Sequence, residues 1–313
     1  MEKNNSITII DNIGQLKNIS NLLKEVNCEN LQNTENEIKD LMKTLGKVGI
    51  IQFQMPEYFP IVRIRKNYID KDNDVERFET RQDYSFVPKE KNNKYARASS
   101  PQNTMFYGVI PNSSALNEIT SAELCEMEKA CFAEISYNGF DLVETPKISI
   151  GRWIVKANHQ LNLIAIIQED KFTNSNILCS KLNNAYHNYI SSFEDENFKK
   201  ISLEYTTFLA NEFSKPDINH QYDYMISAIY TEFLANQQVF DGIIYPSVRA
   251  DGAYFNIALT PNAVNKKLNL KVVGESPINK TDNGISILEC DHLVYLKGDE
   301  ESFTLQPRKI LII

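Results

Sequence analysis

Apolar residues at helical spacing open the chain. Over the first 46 residues they recur every three or four positions between Asn, Glu and Lys, which is the pattern of one buried helix face. Two helices are predicted, over residues 13–23 and 33–45, with a polar connection between them and glycines after the second. Nothing in this segment suggests chemistry. We therefore expect residues 1–46 to be a helical extension and residues 47–313 to form the main domain.

From residue 47 onward, strand patterns dominate both ends of the chain and helix patterns its middle. Strands are predicted at 48–53, 59–65, 104–108, 147–155, 161–167, 243–245, 253–259, 268–273, 285–296 and 303–313, and helices at 114–136, 175–213 and 220–240. Residues 66–100 are charged and poor in aliphatic side chains, so a long surface loop is expected there. This order predicts an α+β fold rather than alternating βαβ units.

Composition narrows the class of protein. The hydrophobic fraction of 42% and charged fraction of 24% are typical of a globular protein. No apolar run approaches the ~20 residues that cross a bilayer, and no secretory signal is visible. The net charge of −8 argues against direct binding of nucleic acid, which requires an excess of Lys and Arg. We expect a cytoplasmic protein with neither membrane nor nucleic-acid partners.

Motifs for metal and phosphate binding are absent from the sequence. The five cysteines and four histidines are scattered, and no Cys-x-x-Cys pair occurs, so a metal site is not expected and the cysteines are interpreted as reduced thiols. No glycine-rich phosphate-binding fingerprint is present either.

The most informative segment is Asp241-Gly-Ile-Ile-Tyr-Pro-Ser-Val-Arg249. A short buried strand ends at Pro246, which has no N–H to donate. Ser247 then stands at the end of the strand with its hydroxyl available, and Arg249 follows as a candidate phosphate ligand. Ligand sites are often built at such positions. On this segment alone, an ordinary turn serine is the alternative interpretation.

Two other strands carry candidate binding residues. Arg63 and Arg65 share one face of a strand, and two guanidinium groups suit a pyrophosphate because each binds phosphate oxygens in pairs. An exposed arginine pair on an edge strand is the alternative. Tyr107, beside Gly108, offers an aromatic face for a flat ring such as nicotinamide or adenine, with core packing as its alternative.

The predicted helix at 114–136 supplies a candidate carboxylate. Glu134 lies among apolar neighbours, in Cys131-Phe-Ala-Glu-Ile135, where a charge is unfavourable unless it has a partner or a function. Glu118, near the start of the helix, is the rival.

An arginine, a tyrosine, a glutamate and a serine in this order resemble the RES-domain family, which is named for its arginine, glutamate and serine. The resemblance covers about residues 58–260. The matching pieces are Val62-Arg-Ile-Arg65, the segment Arg97-Ala-Ser-Ser-Pro-Gln-Asn-Thr-Met-Phe-Tyr107, the glutamate helix, Tyr224-Met-Ile-Ser-Ala228 and Asp241-Gly-Ile-Ile-Tyr-Pro-Ser247. Spacing from Tyr107 in compact members points to Glu118, whereas the surroundings of Glu134 are like those of longer members, and we prefer Glu134. The N-terminal helices and the long loop depart from the compact pattern.

The resemblance implies an ADP-ribosyltransferase-like fold, with mixed or antiparallel sheets and flanking helices, and an activity that consumes NAD without a metal. Arg63, helped by Arg65 or Arg97, would hold the pyrophosphate. Tyr107 would stack against the nicotinamide end, and Ser247 would orient its ribose. A glutamate carboxylate would stabilise the oxocarbenium-like state through which the nicotinamide–ribose bond breaks.

We therefore hypothesise an NAD-degrading enzyme that acts by hydrolysis or phosphorolysis. Many family members are toxins of toxin–antitoxin pairs, so a cognate antitoxin is an expected partner, and self-association is expected by the same analogy. Transfer of ADP-ribose to a protein or nucleotide is the enzymatic alternative. A non-catalytic protein that binds a nucleotide, or that interacts through its N-terminal helices, is the alternative from another class.

Overall fold

The computed structural model describes residues 2–45, 50–69, 74–113, 116–136, 145–167, 177–250, 252–281, 284–298 and 300–307. Within these ranges it contains seven α-helices and a ten-stranded sheet. The prediction of an α+β fold is confirmed. Parts of four predicted elements lie outside the described residues, at 48–49, 114–115, 175–176 and 308–313.

The sheet is mostly antiparallel. Its strands are β1 (Ile51–Met55), β2 (Pro60–Asn67), β3 (Phe106–Ile110), β4 (Lys147–Val155), β5 (Leu161–Ala165), β6 (Gly242–Pro246), β7 (Phe255–Leu259), β8 (Leu268–Thr281), β9 (Gly284–Ile287) and β10 (His292–Tyr295). Their order is β1-β5-β6-β7-β3-β2-β4-β8-β10, and β9 pairs with β8. Among the described strands, only β5 and β6 run parallel.

The middle of the sheet has a weak junction between β2 and β3. Their ladder has a single register pair, Val62 with Val109. Beyond it, β2 pairs with β4 over its whole length, from Pro60 to Asn67, and β3 pairs with β7 from Phe106 to Ile110. The sheet is therefore two ladders that meet at a single register pair.

The helices are α1 (Glu2–Leu22), α2 (Leu31–Leu45), α3 (Ser121–Ser136), α4 (Ile177–Ser191), α5 (Glu196–Phe213), α6 (Met225–Asn236) and α7 (Pro261–Lys267). The two predicted N-terminal helices are present, but α1 begins at Glu2 rather than near residue 13. Their buried residues, such as Ile13, Leu16 and Leu41, belong to the same hydrophobic cluster as Tyr205 of α5 and Ile226 of α6. The domain boundary at residue 46 stays a prediction. None of the described helices combines the length and hydropathy needed to span a bilayer.

Several predicted boundaries were wrong. The stretch 175–213 is two helices, because Asp195 accepts hydrogen bonds from the backbone N–H groups of Asn197 and Phe198 and starts α5. The predicted strand 285–296 is two strands that pair with β8 one after the other. Residues 303–307 form no strand, and Pro307 makes only an isolated bridge to His292.

Two helices also differ from the prediction. Helix α3 begins at Ser121 rather than near 114, after a 3₁₀ turn at Leu116–Glu118. The predicted helix 220–240 is a 3₁₀ turn at Gln221–Tyr224 followed by α6, which ends at Asn236.

Candidate functional site

A cleft of about 320 Å³ lies at the junction of β2 and β3. Both strands contribute to its wall, and α3 and the ends of β6 and β7 complete it. Its polar and aromatic lining consists of Arg63, Arg97, Arg249, Tyr107, Tyr224, Tyr245, Glu134 and Asn256. Residues that are far apart in the sequence therefore share one hollow.

Wider hollows elsewhere on the described surface differ in their chemistry. One of about 1000 Å³ lies between α3 and strands β8 to β10, and its Arg152 is paired with Glu128 at 2.6 Å. Another, of about 420 Å³, lies beside the hydrogen bond between Ser100 and Glu232 and has no arginine in its lining. The cleft between β2 and β3 contains an arginine that has no carboxylate partner within the described part of the chain.

That arginine is Arg63, on β2. Its side chain is 9% exposed, its Nη1 donates to the Tyr107 carbonyl at 2.7 Å, and its guanidinium lies 5.2 Å from the centre of the Phe106 ring. Its Nε is buried without a partner, and no carboxylate among the described residues forms an ion pair with it. Burial, and secondarily the nearby Arg65, lowers the pKa of Arg63 to about 10, so the group is still charged at neutral pH. A buried cation of this kind suits an anionic ligand.

Glu134 reaches the cleft from α3, and its Oε1 is held by two side chains. Ser247 Oγ donates to it at 2.6 Å and Asn256 Nδ2 at 2.9 Å. The backbone N–H of Arg249 also points at it, at 3.5 Å. Ser247 is completely buried, and its Oγ also accepts a hydrogen bond from the N–H of Ala250 at 3.2 Å. The serine at the end of β6 thus holds the carboxylate of α3 and the turn that follows the strand.

The rival carboxylate lies elsewhere. Glu118 is exposed in the 3₁₀ turn before α3 and accepts a hydrogen bond from Ser113. It does not line the cleft. Of the two glutamates singled out in the sequence, the structure brings Glu134 beside Arg63 and Ser247.

Tyr107 presents its ring to the cleft while its hydroxyl is fixed behind it. The hydroxyl accepts from the N–H of Ala98 at 3.0 Å and shares a hydrogen bond of 2.8 Å with Ser99. Burial raises the pKa of Tyr107 to about 12, so the hydroxyl stays protonated at neutral pH. Tyr224 and Tyr245 add two further aromatic rings to the wall.

The other predicted arginines are engaged with the backbone. Arg97 lines the cleft, but it donates to the carbonyls of Phe213 and Lys215, where α5 ends. Positive charge at a helix C-terminus is favourable because the carbonyls there lack helical partners. Arg249 also lines the cleft and donates to the Pro216 carbonyl. Both arginines therefore fasten the chain that follows α5 to the wall of the site.

Arg65 is not part of the cleft lining. Its guanidinium donates to the Asp83 carbonyl and lies 4.4 Å from the centre of the Phe78 ring. The structure thus places one of the two neighbouring arginines, Arg63, at the cleft, and directs the other toward the loop after β2.

Asn256 was not identified in the sequence. It is the polar residue in the otherwise apolar strand Phe255–Leu259 and is 5% exposed. A polar side chain inside a completely buried strand requires a hydrogen-bond partner, and this was the available signal. Tyr224 and Tyr245 carried no such signal, because aromatic residues in buried elements are usually core residues.

A second group of potential ligands lies at the far end of the sheet. Oxygen and nitrogen atoms of Glu275, Asp291 and His292 lie within 4.8 Å of one another. Lys147 Nζ lies 2.7 Å from Asp291 and 3.9 Å from Glu275. The lysine supplies positive charge to these carboxylates, and the group is interpreted as an ion-pair network.

No protein-family model, curated protein or solved structure matches this chain. The resemblance to the RES-domain family therefore rests on the sequence motifs alone. The roles of the residues in the cleft have to be argued from their geometry.

Proposed function

We propose that this chain is an enzyme that cleaves the nicotinamide–ribose bond of NAD. The observation that carries the proposal is the buried Arg63, which has no carboxylate partner among the described residues and shares its cleft with a carboxylate that neutral donors hold in place. Arg63 and Glu134 form no ion pair with each other. Both charges therefore remain available to a ligand that carries an anionic group and hydroxyl groups close together, as a dinucleotide does.

Arg63 is the proposed ligand of the pyrophosphate. A guanidinium forms strong charge-assisted hydrogen bonds with phosphate oxygens, and the position of Arg63 in the cleft lining supports this role. The aromatic rings of Tyr107, Tyr224 and Tyr245 offer faces for stacking of the nicotinamide or adenine ring. Phosphate and ring contacts together would fix the scissile bond in the cleft.

Glu134 is the proposed catalytic residue. As the C–N bond breaks, its electron pair leaves with nicotinamide, and positive charge develops on the ribose C1′ and ring oxygen. A carboxylate that accepts a hydrogen bond from a ribose hydroxyl stabilises this charge. Water then adds to C1′ and loses a proton to solvent, which gives ADP-ribose. Addition of inorganic phosphate instead would give the phosphorylated product.

The test is incubation of the purified chain with NAD, with and without phosphate. We expect release of nicotinamide, a loss of about 10²–10³-fold in kcat for Glu134→Gln, and near-normal activity for the matched change Glu118→Gln, which lies outside the cleft. Unchanged NAD at high enzyme concentration would reject the proposal. Equal activity of both variants would reject the role of Glu134.

The proposed biological role is that of a toxin that depletes NAD and is restrained by an antitoxin. Expression of the wild type should lower cellular NAD and stop growth, and Glu134→Gln should do neither. If radiolabelled NAD leaves its label on a protein or nucleotide, the reaction is transfer rather than degradation.

A further inference from the structure

We propose that Asn256 is a positioning residue of this site, which acts through Glu134. It holds Oε1 of the carboxylate together with Ser247, so that Oε2 is presented to the ligand. The chemical consequence rests on the proposed function, whereas the geometry is independent of it.

The contacts of Glu134 are distributed unequally between its two oxygens. The donors from Ser247, Asn256 and the backbone of Arg249 all meet at Oε1. Among the described residues no donor reaches Oε2. Because Glu134 lines the cleft, Oε2 is the oxygen left for a hydroxyl group of a ligand.

Asn256 is placed rigidly enough to fix a carboxylate. It lies within β7, where it is in register with Val109 of β3 on one side and with Tyr245 of β6 on the other. Its neighbours along the strand are buried and apolar. Moving this amide would require movement of strands on both sides, whereas a residue on a loop could follow the carboxylate.

Two side-chain donors restrict the movement of the Glu134 carboxylate more than one donor does. Without Asn256, Oε1 would keep one short hydrogen bond, from Ser247, and the long contact of 3.5 Å from the backbone of Arg249, and the carboxylate could pivot about the short bond. Asn256 adds a second donor from the adjacent strand, since Ser247 follows β6 and Asn256 belongs to β7. The two bonds, of 2.6 and 2.9 Å, hold Oε1 from two directions before a ligand arrives. Such preorganisation lowers the barrier because the group need not reorient as charge develops.

The experiment uses the full chain with Asn256→Leu, which keeps similar volume without a donor, and Asn256→Asp, which keeps the shape but cannot donate as a carboxylate. Asn269→Leu is the matched control, since Asn269 lies on β8 outside the cleft. We measure kcat and KM for NAD, and we determine crystal structures of the variants. Whichever of the two Asn256 variants folds supplies the result.

The expected result is a 10- to 100-fold lower kcat with KM changed less than about threefold, because a group that acts in the transition state affects kcat. The Glu134 carboxylate should also be displaced in the crystal structure, and the control should keep wild-type kcat. An unchanged kcat with an unmoved Glu134 would overturn the proposal. A raised KM at unchanged kcat would overturn it too, because Asn256 would then be binding substrate directly. If the wild type does not cleave NAD but the Glu134 carboxylate is displaced in the crystal structures of the variants, the positioning role is supported and the proposed function is wrong.

Discussion

Replacement of Arg63 by methionine should show whether this arginine binds a ligand or stabilises the fold. Methionine fills much of the same space but carries no charge, so the variant removes a buried cation that has no carboxylate partner among the described residues. If Arg63 binds a ligand, its buried charge lowers the free energy of unfolding of the unliganded protein. The variant should then be at least as stable as the wild type and should bind nucleotide poorly.

The magnitude follows from the burial of the group. Lowering the pKa of Arg63 to about 10 corresponds to roughly 3 kcal/mol against its charged form. The folded-state pKa lies below the unfolded-state value, so this penalty is fully present at pH 7 and declines only as the pH rises through about 10. Against it stand the lost hydrogen bond to Tyr107, roughly 1–2 kcal/mol, and the contact with the Phe106 ring, about 0.5–1 kcal/mol.

The expected change in the free energy of unfolding therefore lies between zero and about 1.5 kcal/mol of added stability. Urea unfolding at pH 7 measures it, and calorimetry with ADP-ribose measures affinity. Loss of charge-assisted hydrogen bonds worth about 1.5–3 kcal/mol should weaken binding about 10- to 100-fold. The control Arg152→Met breaks a partly exposed ion pair with Glu128, so it should change stability by less than about 1 kcal/mol and leave affinity unchanged.

The opposite pattern would refute the reasoning. A variant at Arg63 that loses more than about 2 kcal/mol of stability and still binds ADP-ribose normally would show that the arginine supports the fold.

Two further predictions concern the scaffold. A Cβ on Gly242 would lie 2.1 Å from a carbonyl oxygen of β7, so Gly242→Ala should lower the free energy of unfolding by about 3 kcal/mol. The control Gly14→Ala lies in open space on α1 and should raise the free energy of unfolding by about 0.5–1 kcal/mol. Similar melting curves for the two variants would contradict this prediction. Lys147→Met should destabilise the protein by about 2 kcal/mol at pH 7, because it leaves the buried carboxylate of Glu275 without its cation. Burial raises the pKa of Glu275, so protonation should relieve part of this loss at pH 5, and urea curves with equal losses at both pH values would count against the explanation.

The parts of the fold that could be predicted are those governed by local pattern. The spacing of Ile13, Leu16 and Leu41 predicted two N-terminal helices, and Pro246 marked the end of a buried strand correctly. Helix α7 also had a local signal that was missed. Thr260 accepts a hydrogen bond from the N–H of Ala263, and a proline occupies the first helical position.

Only part of the set of residues at the site could be predicted, and none of their contacts. Arg63, Tyr107, Glu134 and Ser247 were singled out by residue type and local context, but their contacts depend on strands that meet from distant parts of the chain. Asn256 bonds to a carboxylate 122 residues away, and no spacing rule reaches that far.

Arg97 shows the same limit. It was interpreted as a phosphate ligand, yet it holds the carbonyl of Phe213, 116 residues further on. The sequence shows that an arginine is present. Its hydrogen-bond partner depends on the fold, because the fold determines which nearby backbone carbonyls lack a partner of their own.

The single register pair between β2 and β3 has a mechanical consequence. Each half of the sheet keeps its own complete ladder, so little backbone pairing crosses between the halves beyond the register pair of Val62 with Val109. Cohesion at this junction therefore comes from side chains, because Val62 and Val109 share one buried apolar cluster with Met127 of α3, and separating the two strands would expose that cluster to water.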